Sequence, residues 1–127
     1  MSTIKANTLL HSDGSTTNPP AIPALDKRMA KAWVHWNASG TVAILDSYNV
    51  SSVDDTASGR FGVNFSTAMP TANYSVVVAG KSGSAGDANG ANTYTYSHTT
   101  NSVHVVQLNF AGSYIDLTGM SAVIFGG

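Results

Sequence analysis

The sequence predicts an all-β protein: an antiparallel β-sandwich, jelly-roll-like, of about eight strands, with an extended N-terminal arm and at most one short helix. Three observations predict it. Apolar and polar residues alternate over short runs, the period of two that sets one face of a strand on a core and the other in water. Turn-forming residues interrupt those runs at the spacing of about eight to twelve residues typical of sandwiches. Finally, only 10 % of the 127 residues are charged, the seven acids are all Asp, and Ser, Thr, Asn and Gly are abundant. Glu, Lys and Arg are the usual helix surface formers, whereas Ser, Asn and Gly favour turns, so this composition works against helix.

The chain divides into an arm, residues 1–23, and a sandwich domain, residues 24–127. Residues 2–10 alternate weakly and form a strand only if some sheet accepts them. The following HSDGSTTNPPAIP combines Asp-Gly, Asn-Pro and Pro-Pro and reads as an extended linker. Ordering each backbone residue costs on the order of 1 to 2 kcal/mol, and Ile4, Leu9, Leu10 and Ile22 are too few apolar anchors to offset that within the arm. Residues 3–10, with Thr3, Ile4, Lys5, Leu9 and Leu10, are therefore expected to bind by adding as a strand to another chain. Asp26 caps a short turn, but Pro23 behind it and the strand signal ahead leave room for one or two helical turns at most.

From residue 30 to 80 the signals read as a meander of four strands. AWVHW (32–36) is aromatic and β-branched, residues 37–40 form a turn, and residues 41–50 resume the strand pattern. Phe61, Val63 and Phe65 alternate with Arg60, Gly62 and Asn64; Tyr74, Val76 and Val78 repeat the pattern beyond the turn at 69–73, as an antiparallel partner. Residues 81–91 (KSGSAGDANGA) have no periodicity and read as a contact loop or tip. Residues 92–99 place Tyr94, Tyr96 and His98 on one face and turn at 100–102 into residues 103–110; residues 114–117 and 120–125 complete the set. Trp33, Val63, Phe65, Tyr74, Val76, Val78, Val105 and Phe125 are the expected core, with the choice between Trp33 and Trp36 left to strand register.

Chemistry is much less visible. With a net charge of −1 and no basic cluster beyond Lys27, Arg28 and Lys31, the chain lacks the footprint of a nucleic-acid binder. No apolar run approaches the roughly twenty residues of a membrane helix, and no signal peptide opens the sequence, so synthesis and retention in a cytosol are expected. Having no cysteine, the chain has neither disulfides nor thiolate metal ligands. The four histidines lack metal-ligand spacing, with His35 a strand residue and His98 and His104 flanking one hairpin turn, as solvated residues or as a facing pair. Asp54 and Asp55 read as a solvated turn, and with Asp46 they lack the EF-hand pattern. No nucleophile elbow or phosphate-binding loop is present. A non-enzymatic protein without cofactor or metal is expected. The low charge fraction suits a surface largely covered by partners. Among the aromatics, Trp36, Tyr94 and Tyr96, with Asp87 and Asn89, are the candidate contacts to a glycan or at a tip.

The segments KAWVHWNASGTVAILDSYNVSSV, RFGVNFSTAMPTANYSV and SAVIFGG resemble a small domain at or near the C-terminus of tail-fibre-like proteins of marine tailed bacteriophages, over residues 31–127. The opening MSTIKANTLL is similar to the first residues of such proteins. The resemblance implies a virion part, made in the host cytoplasm and carried on the particle exterior, and supplies no catalytic residues. Only about thirty residues precede the domain, where a fibre usually has a shaft. A short tail-fibre-like tip or a capsid decoration (cement) protein is therefore expected. Its partners would be itself, as a homotrimer by family analogy, the capsid or tail protein beneath its arm, and a host surface glycan. A free carbohydrate-binding module is the alternative.

Overall fold

A computed structural model describes residues 2, 3, 5–8, 10, 13, 14, 28–83 and 92–127. Eight strands account for the fold: β1 (Ala30–Asn37), β2 (Ala43–Tyr48), β3 (Val50–Ala57), β4 (Arg60–Phe65), β5 (Tyr74–Lys81), β6 (Asn92–Tyr96), β7 (Ser102–Leu108) and β8 (Gly119–Gly126). They pair antiparallel throughout, in two four-stranded sheets ordered β2-β1-β8-β5 and β3-β4-β7-β6. This is the antiparallel β-sandwich that the alternation predicts, and the described residues contain no helix. The short helical turn expected after Asp26 falls mostly outside the described residues.

Strand connectivity departs from the expected meander. Residues 41–50 are two strands, because the chain leaves the first sheet after Tyr48 and enters the second at Val50. It turns on Asn49, whose φ of 54° is left-handed; Asn tolerates that region better than most residues other than Gly. Nor do β4 and β5 pair: they lie in opposite sheets, and residues 66–73 cross between them. A period of two reports which side of a strand is buried and says nothing about which strand lies beside it. Residues 114–117 form only a single bridge, Leu108 to Tyr114, rather than a strand.

Both early crossovers meet at Asn49. Its side-chain amide donates to the Lys31 and Thr67 carbonyls, each at 3.1 Å, and its side-chain oxygen accepts from the Thr67 N–H at 2.7 Å. Its backbone carbonyl accepts from Ser66 N–H at 3.2 Å. One residue thus ties β1, the β2–β3 crossover and the β4–β5 crossover together.

The core fills the space between the sheets. Ala32, Val34, Trp36, Met120, Ala122 and Ile124 face inward from the first sheet, and Phe61, Val63, Phe65, Val103 and Val105 from the second. Two edge-to-face aromatic pairs bridge them, Trp36 with Phe61 at 5.8 Å and Phe65 with Tyr74 at 5.7 Å between ring centroids, the arrangement that aromatic quadrupoles favour. Trp36 is 0 % exposed, so register selects it over Trp33, which lies on the outer face with Phe125. Val63, Phe65, Tyr74 and Val105 are buried as expected; Val76 and Val78 are half-buried against the core.

Tyr74 also fixes the β6–β7 connection. Its hydroxyl shares one proton between the Thr99 and Ser102 carbonyls, both at 2.9 Å, and its ring stacks on His98 at 4.9 Å. Burial raises its pKa, partly countered by the Thr99 hydrogen bond. His98 was expected on the same face as Tyr94 and Tyr96, but Ser97 adopts a φ of 51° and breaks the alternation. His98 is thereby turned onto Tyr74, with its Nε2 2.9 Å from Thr95 Oγ1, and does not face His104. At the β3–β4 hairpin Gly59 has φ 64°, and a Cβ there would lie 2.5 Å from the Gln107 carbonyl oxygen.

Substitutions at Asn49 separate its two contributions. Asn49→Gly keeps the turn and loses the side-chain hydrogen bonds, at roughly 1 kcal/mol each. Asn49→Ala loses the bonds and adds left-handed strain of about 1 to 2 kcal/mol. Urea unfolding should therefore rank wild type above Asn49→Gly above Asn49→Ala.

Candidate binding faces of the sandwich

The sandwich has two outer faces of unlike chemistry. On the first sheet, cross-strand register sets Tyr48, Trp33, Val123 and Val77 in one row across all four strands. Val77 is 60 % and Tyr48 41 % exposed, and Phe125 adds to the row's apolar surface on the adjoining β8 position. Beside it runs a more polar row of Asp46, His35, Ser121 and Ala79, where His35 Nδ1 lies 2.9 Å from Ser121 Oγ. An open depression of about 460 Å³ at the end of this sheet is lined by Lys31, Asn73, Ser75, Phe125 and the two terminal glycines among others; among the described residues Lys31 is its one ionisable side chain.

The second sheet has aromatic and polar residues outside. Because Phe61, Val63 and Phe65 point inward, Arg60, Gly62 and Asn64 point outward from the same strand. Register places Asp54, Gly62, His104 and Tyr96 in one row across β3, β4, β7 and β6. The row on one side holds Ser52 and Asn64, and the row on the other holds Arg60, Val106 and Tyr94.

These side chains are held by one another. Asn64 Nδ2 donates to Asp54 Oδ2 at 2.7 Å and to Ser52 Oγ at 2.9 Å. The Tyr96 ring meets His104 edge-to-face at 4.9 Å, and His104 Nδ1 is buried with no hydrogen-bond partner. The Arg60 guanidinium lies over the Tyr114 ring, 3.9 Å from its centroid, a cation–π geometry. Tyr94 donates its hydroxyl proton to Tyr114, which raises the Tyr94 pKa; the same hydrogen bond, with the Arg60 guanidinium, lowers that of Tyr114. Val106 is 1 % exposed although it lies outside the central core, in the row between Arg60 and Tyr94.

Of the sequence-predicted contacts, Tyr94 and Tyr96 are on this face, 45 % and 41 % exposed. Trp36 is not a surface contact: its inward register in β1 makes it the centre of the core. Asp87 and Asn89 lie outside the described residues, as do Ile4 and Leu9 of the arm. Thr3, Lys5 and Leu10 are exposed and in no strand of this single chain. Asp54 and Asp55 belong to β3 rather than to a turn. Arg60, Gly62 and Asn64 are not singled out by the sequence as contacts of this face, and His104 stands there beside Tyr96 rather than opposite His98. Their signal was the polar half of the alternation in β4 and β7, which acquires meaning only once those strands are known to be neighbours.

Among the described residues no group of three or more His, Asp or Glu side chains is placed to hold a metal ion, and no helix is long and apolar enough to cross a membrane. Comparison with family models, with curated proteins and with solved structures finds no match for this chain.

The tyrosine pair yields a pH test. Tyr114 should ionise below the usual tyrosine range, giving an early phenolate step in an alkaline absorbance titration, while Tyr94 and Tyr74 should ionise above that range. Tyr94→Phe and Arg60→Met should each move the early step upward, since each removes a group that stabilises the Tyr114 phenolate. A single step near pH 10, unmoved by both variants, would contradict the arrangement.

Proposed function

We propose that this chain is a non-enzymatic structural protein of the exterior of a tailed-phage particle, as a short tail-fibre-like tip or a capsid decoration protein. The observation that supports this reading best is the outer face of the first sheet. A row of Tyr48, Trp33, Val123 and Val77 across four strands is apolar surface that a free domain ordinarily keeps small. It suits a sandwich that packs against other protein. The charged fraction of 10 % points the same way, because it leaves little to keep an isolated domain apart from its neighbours. The sequence resemblance supplies the context, a phage particle, and the homotrimer is the assembly it favours.

In this reading the two ends of the chain have separate duties. The sandwich forms the exterior body and packs on copies of itself through the apolar face. The arm, residues 1–23, runs to the capsid or tail protein beneath and adds there as a strand, an attachment made by main-chain hydrogen bonds that asks little of the side chains. A free carbohydrate-binding module is the second reading, favoured by the tyrosines and hydrogen-bonding side chains on the second sheet's outer face.

Antibody labelling of purified particles of the encoding phage should mark head or tail, and particles without label would contradict the structural reading. A protein lacking residues 1–23 should retain β-sheet circular dichroism and cooperative unfolding yet be absent from particles. Incorporation of that truncated protein at normal occupancy would show that the arm is not the anchor.

A further inference from the structure

We propose that the free edge of β5 is an interface with a second copy of this chain. In it, β5 of one molecule pairs antiparallel with β5 of the other about a two-fold axis at Val77, joining two β2-β1-β8-β5 sheets into one of eight strands. It is separate from the packing of the apolar face and from any three-fold arrangement built on that face.

Among the described residues, the strands at the sheet margins are β2 and β5 in one layer and β3 and β6 in the other. An edge strand presents unpaired N–H and C=O groups, and natural proteins blunt such edges with short strands, bulges or charged residues. Three of these four are blunted. β6 has five residues. β3 carries Asp54 and Asp55 and shifts register against β4 at two places. β2 carries Asp46 and pairs with β1 through a register shift. β5 has none of these protections: it runs eight residues, pairs with β8 without a shift, and carries its one charge at its last residue, Lys81.

The inward side of the same edge is incompletely covered. Val34, Trp36, Ile124, Val63 and Val105, which face inward from the inner strands of the two sheets, are at most 1 % exposed. Val76 and Val78 face inward from β5 beside Ile124 and Ala122, yet they are only half-buried. A further strand alongside β5 takes that remaining apolar surface out of water while satisfying the free main-chain groups.

The residue pattern of β5 suits a second β5. Directly opposite residues of an antiparallel pair share a face, so the two-fold axis falls on a residue and not between two. Placed at Val77, it sets Val76 against Val78 of the second copy, Ser75 against Ala79, and Tyr74 against Gly80, which has no side chain. Val77, 60 % exposed, meets its own counterpart, and the outer row of Tyr48, Trp33, Val123 and Val77 continues into the same row of the second copy. Lys81 falls beyond the paired stretch, so like charges do not meet across the axis. The edge is thus self-complementary, as an isologous contact requires.

Because the chain has no cysteine, a single introduced thiol reads this contact. Under mild oxidation the full-length Val77→Cys variant should form a disulfide-linked dimer, since residues paired across the axis have Cα atoms roughly 4.5 to 5.5 Å apart, within disulfide reach. Leu45→Cys, 62 % exposed on the opposite edge strand β2, should not cross-link. In sedimentation at micromolar concentration, Val77→Lys sets two lysines face to face and should raise the dissociation constant of the wild-type dimer about tenfold. Its circular dichroism should be unchanged, because the side chain points away from the core. Tyr48→Lys, on the same outer face but remote from β5, should leave the dimer in place. Val77→Cys cross-linking no faster than Leu45→Cys would overturn the edge contact. So would a dimer that survives Val77→Lys and is lost in Tyr48→Lys, which would assign association to the apolar face instead.

Discussion

Asn49 makes the sandwich possible by satisfying three separate stretches of backbone at the point where the chain changes sheet. A two-layer fold has to take the chain from one layer to the other, and each passage leaves carbonyl and amide groups outside any ladder. The Lys31 carbonyl is part-buried and would destabilise the fold by about 1 to 3 kcal/mol without a partner, whereas the Thr67 groups are exposed. Asn49 uses both ends of one short side chain to close the set, bonding to Lys31, Thr67 and, through its own carbonyl, Ser66. Asp has no amide donors for the two carbonyls, and Gly brings the φ without any of the side-chain bonds. The position therefore selects for Asn on two grounds at once, backbone conformation and hydrogen-bond complement.

Once β2 and β3 are sent to different layers, the rest of the topology is constrained. The β3–β4 hairpin stays in the second sheet, β5 returns to the first beside β8, and the chain's last strand closes between β1 and β5. Trp36 and Phe61 then meet edge-to-face across the middle, and Phe65 meets Tyr74 at one end. The same closure creates two outer faces with different histories. The first sheet keeps outside it the residues that inward register rejected, among them Trp33 and Phe125. The second, with Gly62 and Asn64 opposite Val63 and Phe65, keeps outside it a polar and aromatic set.

Much of the fold is legible from the residues alone. Class, strand number and most strand positions follow from alternation and turn chemistry, and the core positions Val63, Phe65, Tyr74 and Val105 follow with them. What alternation leaves open is partnership. Whether 61–65 lies beside 74–78 or beside 102–108 depends on non-local pairing that no single stretch encodes. Register is the second gap: Trp33 and Trp36 sit three apart, so they take opposite faces and either fits the pattern. The candidate site suffered from both gaps together. Tyr94 and Tyr96 stand out as aromatic residues, but Asp54, Gly62, His104 and Tyr96 form a row, with Asn64 beside it, only when β3, β4, β7 and β6 lie side by side. His98 was misplaced for a local reason, the left-handed turn at Ser97, where Ser gives no warning of a positive φ.

The outer face of the first sheet is assigned to protein packing and that of the second is left free by it, and that division can be read directly. Hydroxyl-radical footprinting of the free protein and of the same protein in its assembled or particle-bound form reports the accessibility of single aromatic side chains. Trp33 and Tyr48 should lose reactivity on assembly, while Tyr94 and Tyr96 stay reactive. Protection of Tyr94 and Tyr96 by assembly, with Trp33 and Tyr48 left as reactive as in the free chain, would contradict it.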